Sequence, residues 1–252
     1  MHAPSPKVLL VTGASRGIGA ATAVLAAQAG WSVAVNYVHD ADAAQAVAQR
    51  IRDSGASALT VRADLTQEDQ VVAMFRTIDA QLGRLTALVN NAGVVDVAAR
   101  VDEMSAARIR RMFDVNVLGS FLCAREAVLR MSTRHGGAGG AIVNVSSAAA
   151  RVGSPGQYVD YAAAKGAIDT MTVGLAKEVA AEGIRVNAVR PGLIHTGIHA
   201  SGGQPDRVQK LEHLVPMQRG GQPEEVAHAI LWLLSPEASY TTMALLDVTG
   251  GR

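Results

Sequence analysis

Tyr161 and Lys165 stand four residues apart in the run from Tyr161 to Asp169. On a helix they share one face, a single turn from each other. A phenol holds its proton until about pH 10. A neighbouring ammonium stabilises the phenolate and lowers that value. Such a pair can exchange a proton with a carbonyl or alcohol oxygen at working pH. The same spacing is common on plain helix surfaces, so the chemistry needs partners. Thr12-Gly13-Ala14-Ser15-Arg16-Gly17-Ile18-Gly19 offers them. Glycines 13, 17 and 19 follow the apolar run Val8 to Val11 and open an alanine-rich helical pattern from Ala20 to Ala29. A strand, a glycine turn and a helix let the backbone approach a pyrophosphate, with the free N–H groups and positive dipole end of the helix facing it. The spacing is G-x-x-x-G-x-G rather than G-x-G-x-x-G.

Short apolar runs alternate with longer helical patterns along the chain. Strands are predicted near 7–12, 32–36, 58–62, 86–90, 140–145, 185–189 and 244–247. Helices are predicted over 18–29, 41–54, 68–82, 104–115, 117–133, 158–181 and 223–234. This alternation implies an α/β fold, a doubly wound parallel sheet of about seven strands with helices on both faces. The strands are almost continuously apolar, as a sheet covered on both faces requires. Ligands of such sheets bind beyond the carboxyl ends of the strands. The Gly13 turn, the Asn90 turn, Ser147 and Pro191 each follow a predicted strand, so they converge on one edge. No Pro/Ser-rich linker divides the chain, and 1–252 reads as a single domain. Residues 193–222 suit either a substrate lid or a passive loop.

With these segments together, the chain resembles the short-chain dehydrogenase/reductase family over nearly all of its 252 residues. The resemblance rests on Thr12-Gly13 through Gly19, Asn90-Asn91-Ala92-Gly93, Asn116, Asn144-Val145-Ser146-Ser147, Tyr161 with Lys165, and Pro191-Gly192. It implies a Rossmann-like NAD(P)(H)-dependent oxidoreductase acting at carbonyl or hydroxyl groups. Tyr161 is then the acid/base. Lys165 lowers its pKa and holds the nicotinamide ribose. Ser147 orients the carbonyl, the resemblance choosing it over Ser146. Asn116 holds a water that joins Lys165 to solvent, or makes a polar bond within a helix bend. Ser147 and Tyr161 are 14 positions apart, which also brings Tyr158 into view, but only Tyr161 has a lysine four residues ahead.

The same resemblance gives a cofactor surface of Gly13, Ser15, Arg16, Gly17, Ile18, Gly19, Asn36, Asp64, Leu65, Asn90, Ala92, Gly93, Tyr161, Lys165, Pro191, Gly192, Ile194 and Thr196. Asp64 fits an adenine contact or a helix cap equally. Asn90 mainly shapes its loop, and Thr196 bonds the carboxamide or caps a loop. NAD-preferring folds commonly place an acid after the second strand. Here that strand ends Val35-Asn36-Tyr37-Val38-His39, and Asp40 comes later. Asn36 can donate to a 2′-phosphate, and Arg16 supplies a multidentate cation for it. NADP(H) is therefore favoured over NAD(H). A non-catalytic NADP(H)-sensing protein, or a sugar- or acyl-thioester-specific reductase, are the alternative functions. The survival of Ser147, Tyr161 and Lys165 together favours catalysis.

The net charge of +1 gives no support for a nucleic-acid or membrane partner. The expected partner is a small carbonyl or alcohol substrate, and the family implies a homotetramer. Met1 to Pro6 lack the regions of a secretory signal, and Cys123 is the single cysteine, so a cytoplasmic setting is expected. Cys123 lies among Phe121, Leu122 and Ala124 and reads as a buried structural thiol. His195 and His199 are four apart, but no third ligand is placed as in a zinc motif, so no metal is expected. Arg100 and Arg151 are the candidates for contact with an acidic substrate.

Overall fold

A computed structural model describes residues 7–252. Met1 to Pro6, read above as lacking a secretory signal, lie outside the described residues. The strands are β1 (Val8–Val11), β2 (Ser32–Tyr37), β3 (Ala58–Arg62), β4 (Ala87–Asn90), β5 (Gly140–Val145), β6 (Ile184–Pro191) and β7 (Leu245–Val248). They form one sheet in the order β3-β2-β1-β4-β5-β6-β7, every neighbouring pair parallel. The order reverses between β1 and β4, which opens a crevice beyond their carboxyl ends.

The helices are α1 (Gly17–Gln28), α2 (Ala41–Asp53), α3 (Glu68–Gln81), α4 (Ala106–Phe113), α5 (Gly119–Met131), α6 (Ala149–Val152), α7 (Val159–Val179), α8 (Ile198–Ser201), α9 (Arg207–Leu211) and α10 (Pro223–Leu234). Alternate strand residues point to opposite faces. Leu9, Val11, Val33, Val35, Val89 and Val143 pack on one side with α1 and α10 residues such as Ala23, Val24, Val226 and Ile230. Val8, Leu10, Leu88, Ile142 and Val186 pack on the other with Phe75, Ile78, Cys123, Ala127 and Ala176 of α3, α5 and α7. Both faces are thus covered, which explains why β1 is buried along its whole length. Cys123 is among the buried residues, and burial pushes its thiol pKa up.

One correction concerns the helices. The helices predicted over 104–115 and 117–133 are joined by a π turn, Asp114–Leu118, with Asn116 at its centre. Residues 193–222 carry α8 and α9, and Leu193, Val208 and Val215 make a small apolar cluster there. Ile194 also bridges to Gly221. No helix among the described residues is long and apolar enough to cross a membrane.

A buried polar chain ties the sheet to α7. Asn90 Nδ2 donates to Asn144 Oδ1 at 3.0 Å, Asn144 Nδ2 to Thr172 Oγ1 at 2.9 Å, and Thr172 Oγ1 to the Ile168 carbonyl at 2.8 Å. These bonds hold β4, β5 and α7 in one relative position, while Asn90 Oδ1 stays buried without a partner among the described residues.

Candidate active site

The turn after β1 needs its glycines. Gly13 and Gly17 sit at φ +59° and +57°, where a side chain is strained. A Cβ on Gly13 would lie 2.9 Å from the Ala92 Cα, and one on Gly19 would lie 2.5 Å from Asn91 Nδ2. Thr12 Oγ1 accepts from the Asn91 and Ala92 N–H groups at 2.9 and 3.0 Å, clipping the β1 turn to the β4 turn. The first turn of α1 has no side-chain cap, leaving its N–H groups for an outside acceptor. Gly13, Ser15, Arg16, Gly17 and Ile18 border a cleft of about 1360 Å³ along the carboxyl edge of the sheet. That exceeds the usual roughly 300–1,000 Å³ of a single small-ligand pocket. A dinucleotide together with a small substrate fits this bare-backbone cradle.

Asp64, Leu65, Ala92, Gly93, Pro191, Gly192, Ile194 and Thr196 border the same cleft. The Thr196 methyl would lie 3.4 Å from a Cβ on Gly17, so the segment after β6 comes close to the glycine turn. Asp64 does not cap α3, whose N-cap is Gln67. Asp64 Oδ1 accepts from Thr66 N and Oγ1 at 3.0 and 2.8 Å in the turn before α3, while the residue still borders the cleft.

Three residues of the expected cofactor surface spend their contacts on the protein itself, Asn36 while bordering the cleft. Asn36 is 1% exposed. Its Oδ1 accepts from Gly13 N at 3.1 Å, and its Nδ2 faces the Ala63 and Val61 carbonyls at 3.1 and 3.4 Å. Its amide is committed to backbone, so it braces the glycine turn and has no donor for a phosphate. Asn90 is buried outside the cleft, and Nδ2 also reaches the Ser120 carbonyl at 3.2 Å. Gly19 serves the close approach of α1 to the β4 turn rather than the cleft wall. Asn91, unassigned from sequence, borders the cleft and donates to the Thr12 and Gly13 carbonyls at 2.8 and 3.0 Å.

Ser147, Tyr161 and Lys165 border the cleft together. Ser147 ends the β5 loop, with Oγ accepting from Ala149 N at 3.1 Å. Ser146 turns inward and donates to the Lys165 carbonyl at 3.1 Å. Tyr161 and Lys165 share one face of α7, with Nζ 5.7 Å from the ring centre. Lys165 Nζ donates to the Val145 carbonyl at 2.7 Å. Burial brings the Lys165 pKa down from 10.5 to about 8, against a smaller upward pull from Asp169. Burial also holds the Tyr161 pKa above 10, while a hydrogen bond with Ser147 acts to lower it. Burial is the larger of the two effects on Tyr161, and Ser147 rather than Lys165 supplies the opposing one.

Asn116 is buried and does not border the cleft. Its Nδ2 donates to the Met112 and Val94 carbonyls at 2.9 and 3.1 Å, and its Oδ1 accepts from Val94 N at 3.2 Å. It latches the Gly93–Val94 backbone to the π turn. A Cβ on Gly93 would lie 2.8 Å from Asn116 Oδ1 and 3.5 Å from Lys165 Nζ, so Asn116 stands beside the lysine. Tyr158 is buried, borders the cleft and precedes α7. His199 Nε2 lies 3.0 Å from the Ile194 carbonyl. Among the described residues no group of three or more His, Cys, Asp or Glu is arranged to hold a metal.

A family model described as enoyl-(acyl carrier protein) reductase matches residues 13–252. The chain is 58% identical over 245 residues to the uncharacterized oxidoreductase YgfF of Escherichia coli (strain K12), covering 97% of this chain and 99% of that protein. It is 39% identical over 245 residues to glucose 1-dehydrogenase 2 of Bacillus subtilis (strain 168), covering 97% and 94%. The crystal structure of a short-chain type dehydrogenase/reductase from Mycobacterium marinum matches with a TM-score of 0.91 at 38% identity, covering 97% of this chain and 94% of that one. The fold, the site and these matches agree, and the chain is an oxidoreductase belonging to the short-chain dehydrogenase/reductase family.

Proposed function

We propose that the protein catalyses reversible hydride transfer between NADP(H) and a carbonyl or secondary alcohol substrate, with Tyr161 as the acid/base. The observation that carries this reading is the shared cleft of Ser147, Tyr161, Lys165 and the glycine turn. A bound nicotinamide cofactor supplies or accepts the hydride. In the reducing direction Tyr161 gives its proton to the substrate oxygen, and in the oxidising direction it takes one. A phenol held protonated by burial suits the first role. Ser147 donates to the same oxygen and stabilises the charge developing there. Lys165 places an ammonium beside the phenol at neutral pH and carries the ribose contact. Asn116 acts through Lys165, positioning the Gly93–Val94 backbone and a water-borne proton path.

The preference for NADP(H) is supported by exposed Arg16 at the mouth of the cleft and by the lack of an acid at the end of β2. Asp40, the first acid after that strand, caps α2 by accepting from Ala43 N at 3.0 Å. A single catalytic domain with 193–222 as its lid is supported by Ile194, Thr196, Ile198 and His199 bordering the cleft. A homotetramer in the cytoplasm completes the reading. Half-exposed Phe113, Leu118, Phe121 and Leu129 along α4 and α5 support the self-association. NADPH absorbance over a panel of ketones, sugars and acyl thioesters tests the reaction. A wild-type protein that binds NADPH yet reduces no member, with Tyr161→Phe indistinguishable from it, would overturn the reading.

A further inference from the structure

The basic residues around the cleft separate into occupied and unoccupied cations. Arg100 and Arg151, the expected contacts for an acidic substrate, hold Asp102 and Asp247 and do not border the cleft. Arg108 holds buried Asp160 at 2.8 Å. Asp96 borders the cleft, but its oxygens face Arg111 at 3.3 Å and accept from Val97 N at 2.8 Å.

Arg16, Arg110 and Arg252 also border the cleft with no ion pair among the described residues, but they are exposed, and Arg207 differs from them in its burial. It borders the cleft and is half-buried. Its guanidinium lies 5.2 Å from the centre of the Tyr158 ring, and Nη1 donates to Gln204 Oε1 at 2.6 Å. Among the described residues no carboxylate lies within ion-pairing distance of it. One neutral acceptor leaves most of its five N–H donors open. An aromatic face and a glutamine fix the plane of the guanidinium, which suits bidentate recognition of a carboxylate. Tyr158 is three residues before Tyr161, so the cation stands over the chain that carries the phenol.

The neighbours of Arg207 do not supply its counter-charge. His199 borders the cleft beside it, and its Nε2 is engaged at the Ile194 carbonyl. Burial holds the His199 pKa down, against an upward pull from the Ile194 carbonyl. The cations nearby act weakly in the same direction as burial, so this imidazole is a poor counter-charge. Val94, Val95, Val152 and Leu193 supply apolar surface to the same cleft. A half-desolvated cation in such a cleft gains most from an anion brought by the ligand.

We propose that Arg207, steadied by Tyr158 and Gln204, binds a carboxylate on the substrate, so that the enzyme takes oxo or hydroxy acids in preference to their neutral counterparts. This rests on the oxidoreductase reading above and names the substrate class of that same site.

The test uses 4-oxopentanoate, 5-oxohexanoate and 6-oxoheptanoate with their methyl esters, so that no single reach is presumed. Each is titrated by calorimetry into the full-length protein loaded with NADP⁺. A charge-assisted pair predicts that at least one acid binds about 10–100-fold more tightly than its ester. Arg207→Gln should erase that preference and Arg207→Lys should keep part of it. Equal binding of acid and ester in every pair, or a preference that survives Arg207→Gln, overturns the proposal. If Arg207→Gln does not fold, Gln204→Leu must still reduce the preference, and an unchanged preference overturns the proposal. NADPH oxidation with the same compounds separates the two readings. Preferential acid binding without turnover sinks the reaction assignment and leaves the Arg207 site standing. Equal turnover of acids and esters does the reverse.

Discussion

Replacing Lys165 by methionine isolates the energetics of the buried ammonium. Lys165 is 4% exposed, and its amine loses its proton in the folded chain near pH 8 rather than 10.5. A gap of about 2.5 on the pH scale corresponds to about 3 kcal/mol of destabilisation wherever the amine is charged in both states. Lys165→Met removes that penalty but leaves the Val145 carbonyl without its 2.7 Å donor, which costs about 1–3 kcal/mol. The difference at pH 7 therefore combines opposing effects, whereas its pH dependence comes from the amine alone. Between pH 8 and 10.5 the unfolded chain binds more protons than the folded one. Wild-type stability consequently rises with pH there by about 1.4 kcal/mol per pH unit relative to the variant. Urea denaturation of both proteins, without cofactor, at pH 7.5 and 9.5 reads the change. The stability of the variant relative to wild type should fall by about 2 kcal/mol over that range. Stopping below pH 10 keeps Tyr161, whose folded pKa is raised, from titrating. A difference that stays constant to within about 0.5 kcal/mol would refute the claim that burial depresses this lysine.

Tyr161→Phe should lose about 10²–10⁴-fold in turnover with NADPH binding retained, whereas Tyr158→Phe should keep substantial turnover; steady-state rates and separate cofactor titrations check this. Arg16→Gln should weaken NADPH about tenfold or more and leave NADH unchanged, read by fluorescence titration of both. Asn36→Asp should not act as a cofactor switch. It places a carboxylate against the Val61 and Ala63 carbonyls, and melting curves should show a loss of about 2–4 kcal/mol. Gly13→Ala combines φ +59° with a 2.9 Å contact to Ala92 and should abolish cofactor binding before it unfolds the sheet, as titration beside circular dichroism would show.

The layers of the fold were legible because burial on both sheet faces forces continuous apolar runs such as Val8–Val11. The glycine turn was legible because few residues reach positive φ beside another backbone. Asn36 misled because β2 continues through Tyr37, pairing Asn36 with Val61 and turning its amide inward. Residue type gives an amide donor and acceptor, but strand register decides whom they meet. The Tyr161–Lys165 spacing was readable, but the sign of the tyrosine shift was not. That sign depends on how much water α7 loses against β5, a tertiary quantity. Arg207 was missed for a related reason. Its meeting with Tyr158 joins positions 49 apart through a lid whose periodicity is weak.

The π turn at Asp114–Leu118 sits between α4 and α5 and carries Asn116. A π turn holds one residue more than the α-helical turn it replaces. Deleting a single residue there would leave an unbroken α-helix, locally sound and easy to form. The later residues of α5 would keep their phase, because the turn that is lost held just that one residue more. Leu122, Cys123 and Ala127 would still face the sheet, but the Asn116 latch on Val94 would open. The surplus residue thus works as a latch pin, without which the helix still packs but no longer holds the Gly93–Val94 backbone. Within that segment, length is more constrained than composition, and a substitution at Val115 or Val117 should be tolerated where a deletion is not.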